Sequence, residues 1–182
     1  MKTHERGLGP ALALMVITIG VMIALVEWTG PAKAQTATVE LRNGQGAVVG
    51  HARLSQEPGG VRLQVEVSGL TPGLHGFHIH AVGQCEPPAF TSAGPHFNPE
   101  GKQHGHKNPA GPHAGDLPNL MVGPDGAGRA DLLTADVTLA AGSHSLFQPA
   151  GTSLVIHADP DDDQTDPAGN SGARVACGVI TR

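Results

Sequence analysis

Two histidines that lie two residues apart, His78 and His80, are the first side chains whose type and spacing suggest chemistry. In a β-strand, residues i and i+2 point to the same face, so the two imidazoles would lie side by side, about 7 Å apart at their Cα atoms. Such a pair suits a soft or borderline divalent metal ion. Phe77 and Ile79 would point to the other face, into a core. The pair alone does not distinguish a metal site from two paired surface or core histidines.

Further nitrogen and oxygen donors follow in a stretch that has no periodicity and is rich in glycine and proline. They are His96, His104, His113 and Asp116, with His157 farther along. Borderline donors at short loop spacings are typical of zinc and copper sites. An irregular stretch as long as residues 81–115 is uncommon inside a compact domain unless something fastens it. A bound metal ion would do so, which is a physical reason to expect one here.

Several motifs resemble the copper–zinc superoxide dismutase family. They are Gly94-Pro95-His96-Phe97-Asn98-Pro99, His113-Ala114-Gly115-Asp116-Leu117, Leu154-Val155-Ile156-His157 and Gly172-Ala173-Arg174-Val175-Ala176-Cys177-Gly178. The resemblance covers nearly the whole chain after residue 34. The chain looks most like the exported bacterial members of the family, because the loop between His157 and Arg174 is short.

The resemblance implies one copper ion and one zinc ion per chain. Copper would be held by His78, His80, His96 and His157, and zinc by His96, His104, His113 and Asp116. His96 would bridge the two ions through its two ring nitrogens and would also carry a proton. The implied reaction is the dismutation of superoxide to oxygen and hydrogen peroxide by redox-cycling copper, with zinc in a structural role.

Two more residues receive roles from the resemblance. Asp161 would accept hydrogen bonds from His78 and His104 and so fix the orientation of both rings. Its alternative is a solvated acidic turn. Arg174 would attract the small anionic substrate beside copper, and its alternative is an ordinary surface charge on a strand.

The chain has two cysteines, Cys85 and Cys177. In an oxidising compartment they are expected to form a disulfide, and the alternative is a pair of buried thiols.

Alternating apolar and polar residues predict short strands and no long helix, most clearly over residues 61–68. Eight strands are expected, over residues 38–42, 47–54, 61–68, the His78/His80 segment, 117–122, 129–135, 153–158 and 173–180. The predicted fold class is all-β: an eight-stranded antiparallel Greek-key sandwich or flattened barrel, immunoglobulin-like, with two long functional loops.

Residues 1–34 are predicted to be a signal peptide, and residues 35–182 the single folded domain. A charged start precedes an apolar run over residues 10–26, and Ala32-Lys33-Ala34 offers a small-x-small cleavage site. The alternative is an uncleaved membrane anchor. The domain is therefore expected outside the cytoplasm: periplasmic, extracellular or associated with the cell envelope.

The net charge of −5 and the lack of a basic cluster argue against a nucleic-acid partner. The expected partner is superoxide. A membrane would be a partner only if the N-terminal segment stayed uncleaved, and the sequence leaves a homodimer open. Residues 159–172 carry five aspartates and no lysine or arginine, so steering of substrate by lysines on this loop is not expected.

Two other functions stay open at the level of the sequence. A non-catalytic copper- and zinc-binding protein on the same fold would bind both metals without turnover. An adhesive or structural sandwich with incidental histidines would bind neither. The presence of all four copper positions together with Arg174 favours the enzyme.

Overall fold

The computed structural model describes residues 35–182; the predicted signal peptide, with its alternative as an anchor, lies outside the described residues. The strands are β1 (Thr36–Asn43), β2 (Val48–Glu57), β3 (Gly60–Val67), β4 (Gly73–His75), β5 (Phe77–His80), β6 (Leu120–Val122), β7 (Gly128–Thr134), β8 (Ser153–His157) and β9 (Arg174–Val179). One short 3-10 helix spans Thr91–Ala93. Within residues 35–182, no helix has the length and apolar character needed to cross a membrane.

Strand β3 shows why the sequence forms these elements. Val61, Leu63, Val65 and Val67 are buried, and the polar residues between them are half-buried or exposed. This alternation places one face of the strand in the main apolar core, to which strands across the whole sheet contribute. Phe77 and Ile79 join the same core from β5.

All nine strands belong to one sheet, in the order β4-β6-β7-β3-β2-β1-β9-β8-β5, and every strand pairing is antiparallel. The two end strands, β4 and β5, are separated by the single residue Gly76. The sheet therefore curls round until its edges meet, as a nearly closed barrel. The predicted all-β, flattened-barrel fold class is confirmed.

The structure has one strand more than the sequence predicts, because the expected His78/His80 strand is part of a longer run that breaks at Gly76. Before the break the chain pairs with β6, and after it with β8. At the break, Gly76 N donates to Asp159 O and Gly76 O accepts from His157 N, both at 2.8 Å. A Cβ at Gly76 would lie 2.6 Å from Ser171 Cβ. The crossing between the edges therefore needs glycine.

A disulfide joins Cys85, in the long loop of residues 81–119, to Cys177 on β9, with a sequence separation of 92. The predicted bond is confirmed. Cys177 is buried beside Phe90, Ala93 and Val155, with Cys85 packed against them. The disulfide and this small apolar cluster fasten the first half of the loop to the barrel wall.

We expect Cys85→Ser to lower the free energy of unfolding by about 4 kcal/mol, because a covalent link between distant residues restricts the unfolded chain. Urea unfolding of wild-type protein, Cys85→Ser, Cys177→Ser and the double variant measures the effect, and all three variants should agree. Equal stability of wild type and variants would contradict it. So would non-reducing peptide mapping that finds both thiols free in protein made in an oxidising compartment.

Candidate metal centre

Two buried clusters of potential ligands lie next to each other and share His96. In each cluster one donor atom per residue can be chosen so that all lie within 4.8 Å of one another. The first cluster contains His78, His80, His96 and His157; the second contains His96, His104, His113 and Asp116. The structure thus brings together all seven predicted ligand residues, which come from two adjacent strands and one loop.

The long loop reaches these strands because it folds back along β5. Phe97 N donates to Ile79 O at 2.8 Å, and Ile79 N donates to Gly115 O at 2.9 Å. These bonds set His96 opposite His80 and Asp116 opposite His78 as isolated bridges. A Cβ at Gly115 would lie 2.2 Å from Ile79 O, so the close approach of the loop depends on glycine.

In the first cluster, hydrogen bonds at one nitrogen leave the other nitrogen of each ring free as a ligand. His80 Nδ1 donates to Gly94 O at 2.8 Å and His157 Nδ1 to Gly172 O at 3.2 Å. Each proton therefore sits on Nδ1, and the lone pair on Nε2. The two Nε2 atoms lie 3.4 Å apart, as two lone pairs aimed at a common point would. In His78 the arrangement is reversed, because Nε2 is engaged by Asp161.

In the second cluster, one carboxylate oxygen faces three imidazole nitrogens. Asp116 Oδ1 lies 2.8, 3.0 and 3.4 Å from the Nδ1 atoms of His96, His104 and His113. The ligands of a tetrahedral zinc ion with bonds of about 2.0–2.1 Å are separated by roughly 3.3 Å. The set of three histidines and one aspartate therefore fits zinc in both donor type and spacing.

Three buried ring nitrogens have no hydrogen-bond partner among residues 35–182: His78 Nδ1, His96 Nε2 and His104 Nδ1. An unpaired polar atom in a protein interior is costly. His104 Nδ1 lies only 3.0 Å from Asp116 Oδ1 and still makes no hydrogen bond. These three nitrogens would be available as ligand atoms, so the residues of the two clusters fit copper and zinc.

Asp161 lies between the two clusters. Its Oδ2 accepts from His78 Nε2 at 2.6 Å, and its Oδ1 accepts from His104 Nε2 at 3.0 Å. Gly169 (φ 60°) makes room for this contact, since a Cβ there would overlap the Asp161 carboxylate. One side chain thus fixes the rings of a residue from each cluster.

The electrostatics of the clusters favour neutral imidazoles where soft ligands are needed. Burial lowers the pKa of His80 to about 2, of His157 to about 3 and of His96 to about 4. Burial also lowers the pKa of His78. A neutral imidazole keeps the lone pair that binds a metal ion.

The carboxylates behave in the opposite way. Burial alone would raise the pKa of Asp116 and Asp161, but their hydrogen bonds to histidines outweigh it and hold both pKa values below the ordinary range. Burial alone would lower the pKa of His104, but the flanking carboxylates of Asp116 and Asp161 outweigh burial and raise the pKa to about 10.

Arg174, at the start of β9, is half-buried and fixed by the long loop. Its two terminal nitrogens donate to Phe90 O at 2.6 Å and to Gly94 O at 2.7 Å. Gly94 O also accepts from His80 Nδ1, so one carbonyl holds both the guanidinium and a ring of the first cluster. The loop segment that carries these carbonyls is the one fastened by the disulfide.

Two residues near the centre belong to neither cluster and bond to the main chain of residues that do or that orient them. His75 is buried, and its ring nitrogens lie 2.7 Å from His157 O and 2.8 Å from Thr71 O. Asn119 bonds to the main chain of Asp161. No local pattern marks Asn119, because its partner lies 42 residues away.

The chain is similar to known proteins over most of its length. The family described as copper/zinc superoxide dismutase (SODC) matches residues 48–180. Copper–zinc superoxide dismutase 2 of Aquifex aeolicus (strain VF5) is 51% identical over 146 residues, which are 79% of this chain and 85% of that protein. An extracellular copper–zinc superoxide dismutase of Brugia pahangi is 40% identical over 157 residues, covering 81% of this chain and 76% of that protein.

A solved structure is similar as well. The crystal structure of a SOD-like protein from Bacillus subtilis superposes with a TM-score of 0.76 at 41% identity, covering 78% of this chain and 96% of that one. The resemblance read from the motifs is confirmed, and the chain belongs to the copper/zinc superoxide dismutase family.

Proposed function

We propose that this chain dismutates superoxide to oxygen and hydrogen peroxide at a centre of one copper ion and one zinc ion. His78, His80, His96 and His157 would hold copper. His96, His104, His113 and Asp116 would hold zinc. The observation that carries the proposal is the position of His96, whose Nδ1 lies 2.8 Å from Asp116 while its buried Nε2 has no partner among the described residues. One nitrogen is thus available to each cluster.

When bound, copper would supply the one-electron redox chemistry that the reaction needs. The chain's own residues hold the site in shape: Asp161 orients His78 and His104, and Gly94 O orients His80. His96 Nε2 is the atom at which the chain would take up a proton and hand it to the reduced product. Three histidines and one aspartate would fill all four positions of a tetrahedral zinc ion, so zinc would have a structural role.

Arg174 is proposed to attract the anionic substrate. Within residues 35–182 its bonds go only to carbonyl oxygens, whereas Lys102 lies against Glu100 and Lys107 against Asp163. Of these three cations in the described part of the chain, Arg174 is the one whose charge no carboxylate compensates. Its planar, forked donors suit a small anion.

We expect Arg174→Ile to keep both metals and to lose roughly tenfold in rate, at the low end of electrostatic steering effects. Azide inhibition should weaken, and Arg174→Lys should recover part of the rate because the charge returns without the fork. Stopped-flow superoxide decay over a salt series is the measurement, since screening sets in at a Debye length of about 8 Å at 0.15 M salt.

The matched control for this experiment is Arg129→Ile, which removes one exposed positive charge from β7, where Arg129 faces Glu66. It should leave rate and azide affinity near those of wild type. If fully metallated Arg174→Ile behaves like the control, the guiding charge lies elsewhere, with Lys102 and Lys107 the next to replace.

Export is proposed for the location, with residues 1–34 as the signal peptide and residues 35–182 as the mature domain. The Cys85–Cys177 disulfide supports it, because such bonds persist in oxidising compartments, and one relative is named as extracellular. An uncleaved segment would instead tether the domain to a membrane. Homodimer formation stays a separate proposal, to be tested by sedimentation.

Reconstitution tests the function directly. Purified protein is loaded with copper and zinc, its metal content is determined, and superoxide loss is measured on the same sample. We expect one copper and one zinc per chain, with turnover, and a Cu(II) electron-spin signal that changes when zinc is removed, because His96 is shared. A protein that binds both metals without turnover would favour the non-catalytic binding protein. A well-folded protein that takes up neither metal would contradict the proposed function.

A further inference from the structure

Asn119 holds the main chain of Asp161 from both sides. The side-chain Oδ1 of Asn119 accepts from Asp161 N at 2.8 Å, and Asn119 Nδ2 donates to Asp161 O at 2.8 Å. Among the hydrogen bonds of residues 35–182, these are the only ones made by the two main-chain groups of Asp161. A carboxamide carries a donor and an acceptor side by side, so it matches the main-chain groups of one residue.

The segment that carries Asn119 is itself firmly placed. Asn119 directly precedes β6, and the neighbouring Leu117 and Leu120 are buried in the main core. Asp116, a residue of the second cluster, lies three positions before Asn119 in this segment. The segment therefore connects the barrel wall, one cluster residue and the loop of residues 158–173 that carries Asp161.

We propose that Asn119 is a positioning residue of the metal centre, which fixes the Asp161 carboxylate between His78 and His104 and so couples the two clusters by a route other than His96. This inference rests on the proposed function, because it gives Asn119 a role toward the same two metal ions. Displacement of Asp161 would release His78 Nε2 and His104 Nε2 together, since one carboxylate holds both.

Asn119→Ala in the metal-loaded protein tests the proposal, with zinc release to a colorimetric chelator as the readout. Loss of partners outside the ligand set costs 10–100-fold in metal affinity, and Asn119 acts one step farther out, so we expect release to be about tenfold faster. The Cu(II) electron-spin signal should also change, since His78 loses its fixed partner. Asn119→Asp keeps the acceptor and loses the donor, and it should also release zinc faster than wild type.

Asn98→Ala is the matched control. Asn98 makes the same pair of bonds to one residue, accepting from Lys102 N at 3.0 Å and donating to Lys102 O at 2.8 Å, and within residues 35–182 its side chain makes no hydrogen bond to Asp116 or Asp161. Its zinc release and copper signal should stay near those of wild type. Equal acceleration in Asn98→Ala and Asn119→Ala would assign the effect to general loosening of the loop and overturn the proposal.

A double-variant cycle tests whether Asn119 acts through Asp161. In an Asp161→Asn background, Asn119→Ala should add little to the zinc release rate, because residues that act through one another are not additive. Additive effects would overturn the proposal. A wild-type zinc release rate in Asn119→Ala would also overturn it, and the proposed function would still stand if the wild-type protein binds both metals and dismutates superoxide. A wild-type protein that binds no zinc would overturn both.

Discussion

Replacement of His80 by alanine is expected to abolish dismutation while zinc stays bound. His80 is completely buried, and its Nε2 faces His157 Nε2 at 3.4 Å, so the substitution removes one of four nitrogens from the proposed copper set. Loss of a residue that only supports a metal ligand lowers metal affinity or activity by about 10–100-fold. Loss of a ligand itself should therefore lower the rate by at least about 100-fold. The second cluster contains no atom of His80, so zinc should be retained and the loop should stay ordered.

Copper and zinc content, superoxide decay and hydrogen exchange on one sample check this result. His51→Ala is a suitable control, because His51 is an exposed residue on β2 and belongs to neither cluster. A His80→Ala protein that keeps copper and full activity would remove His80 from the copper set.

Asp116→Ala should have the opposite first effect: zinc is lost, residues 81–115 become mobile and thermal stability falls. Asp116 Oδ2 accepts from the main-chain N–H groups of Gly105 and His113, each at 2.9 Å, and Oδ1 faces three imidazoles. Removal of the carboxylate leaves the main-chain N–H groups of Gly105 and His113 without an acceptor, at a cost of about 1–3 kcal/mol for each group that stays unsatisfied.

Zinc analysis, hydrogen exchange and thermal unfolding measure the change in Asp116→Ala. Asp131→Ala removes an exposed carboxylate that pairs with Arg62 on the outer face, and this control should keep zinc and an ordered loop. The two phenotypes, of His80→Ala and Asp116→Ala, have to differ. If both variants lose both metals to the same extent, the proposed division of ligands is wrong.

Much of the fold follows from local sequence patterns. The alternation over residues 61–68 corresponds to β3, and the predicted strands at residues 129–135, 153–158 and 173–180 each match an observed strand to within one residue at either end. These segments have one apolar face, so side-chain alternation alone determines which residues enter the core.

The break at Gly76 could not be predicted in this way. Both His75 and Phe77 are buried, so hydropathy does not change across the break. What changes is the pairing partner, from β6 to β8, and this depends on barrel closure between segments distant in sequence. The strand predicted over residues 117–122 is observed only over Leu120–Val122. The reason is related, since Asn119 makes its hydrogen bonds to the distant residue Asp161 before β6 begins.

The residues that could bind the metal ions can be predicted from the sequence, whereas most of the groups that hold those residues in place cannot. Histidines and aspartates at loop spacings indicate a metal centre, and the motif resemblance assigns each donor to an ion. Three supporting groups carry no such signal: Gly94 O and Gly172 O, which orient His80 and His157, and the Asn119 side chain, which holds Asp161. Two of these are main-chain atoms, which any residue supplies, so residue type carries no signal for them.

Superoxide decay during a copper titration of zinc-loaded protein tests the central claim most directly. The rate constant per chain should rise in proportion to added copper and stop rising at one copper per chain, because the four-histidine cluster is the single copper site proposed. His80→Ala, titrated in parallel, should stay at the rate of spontaneous decay. Zinc-loaded wild-type protein that holds one copper per chain and still decays superoxide no faster than buffer would contradict the account.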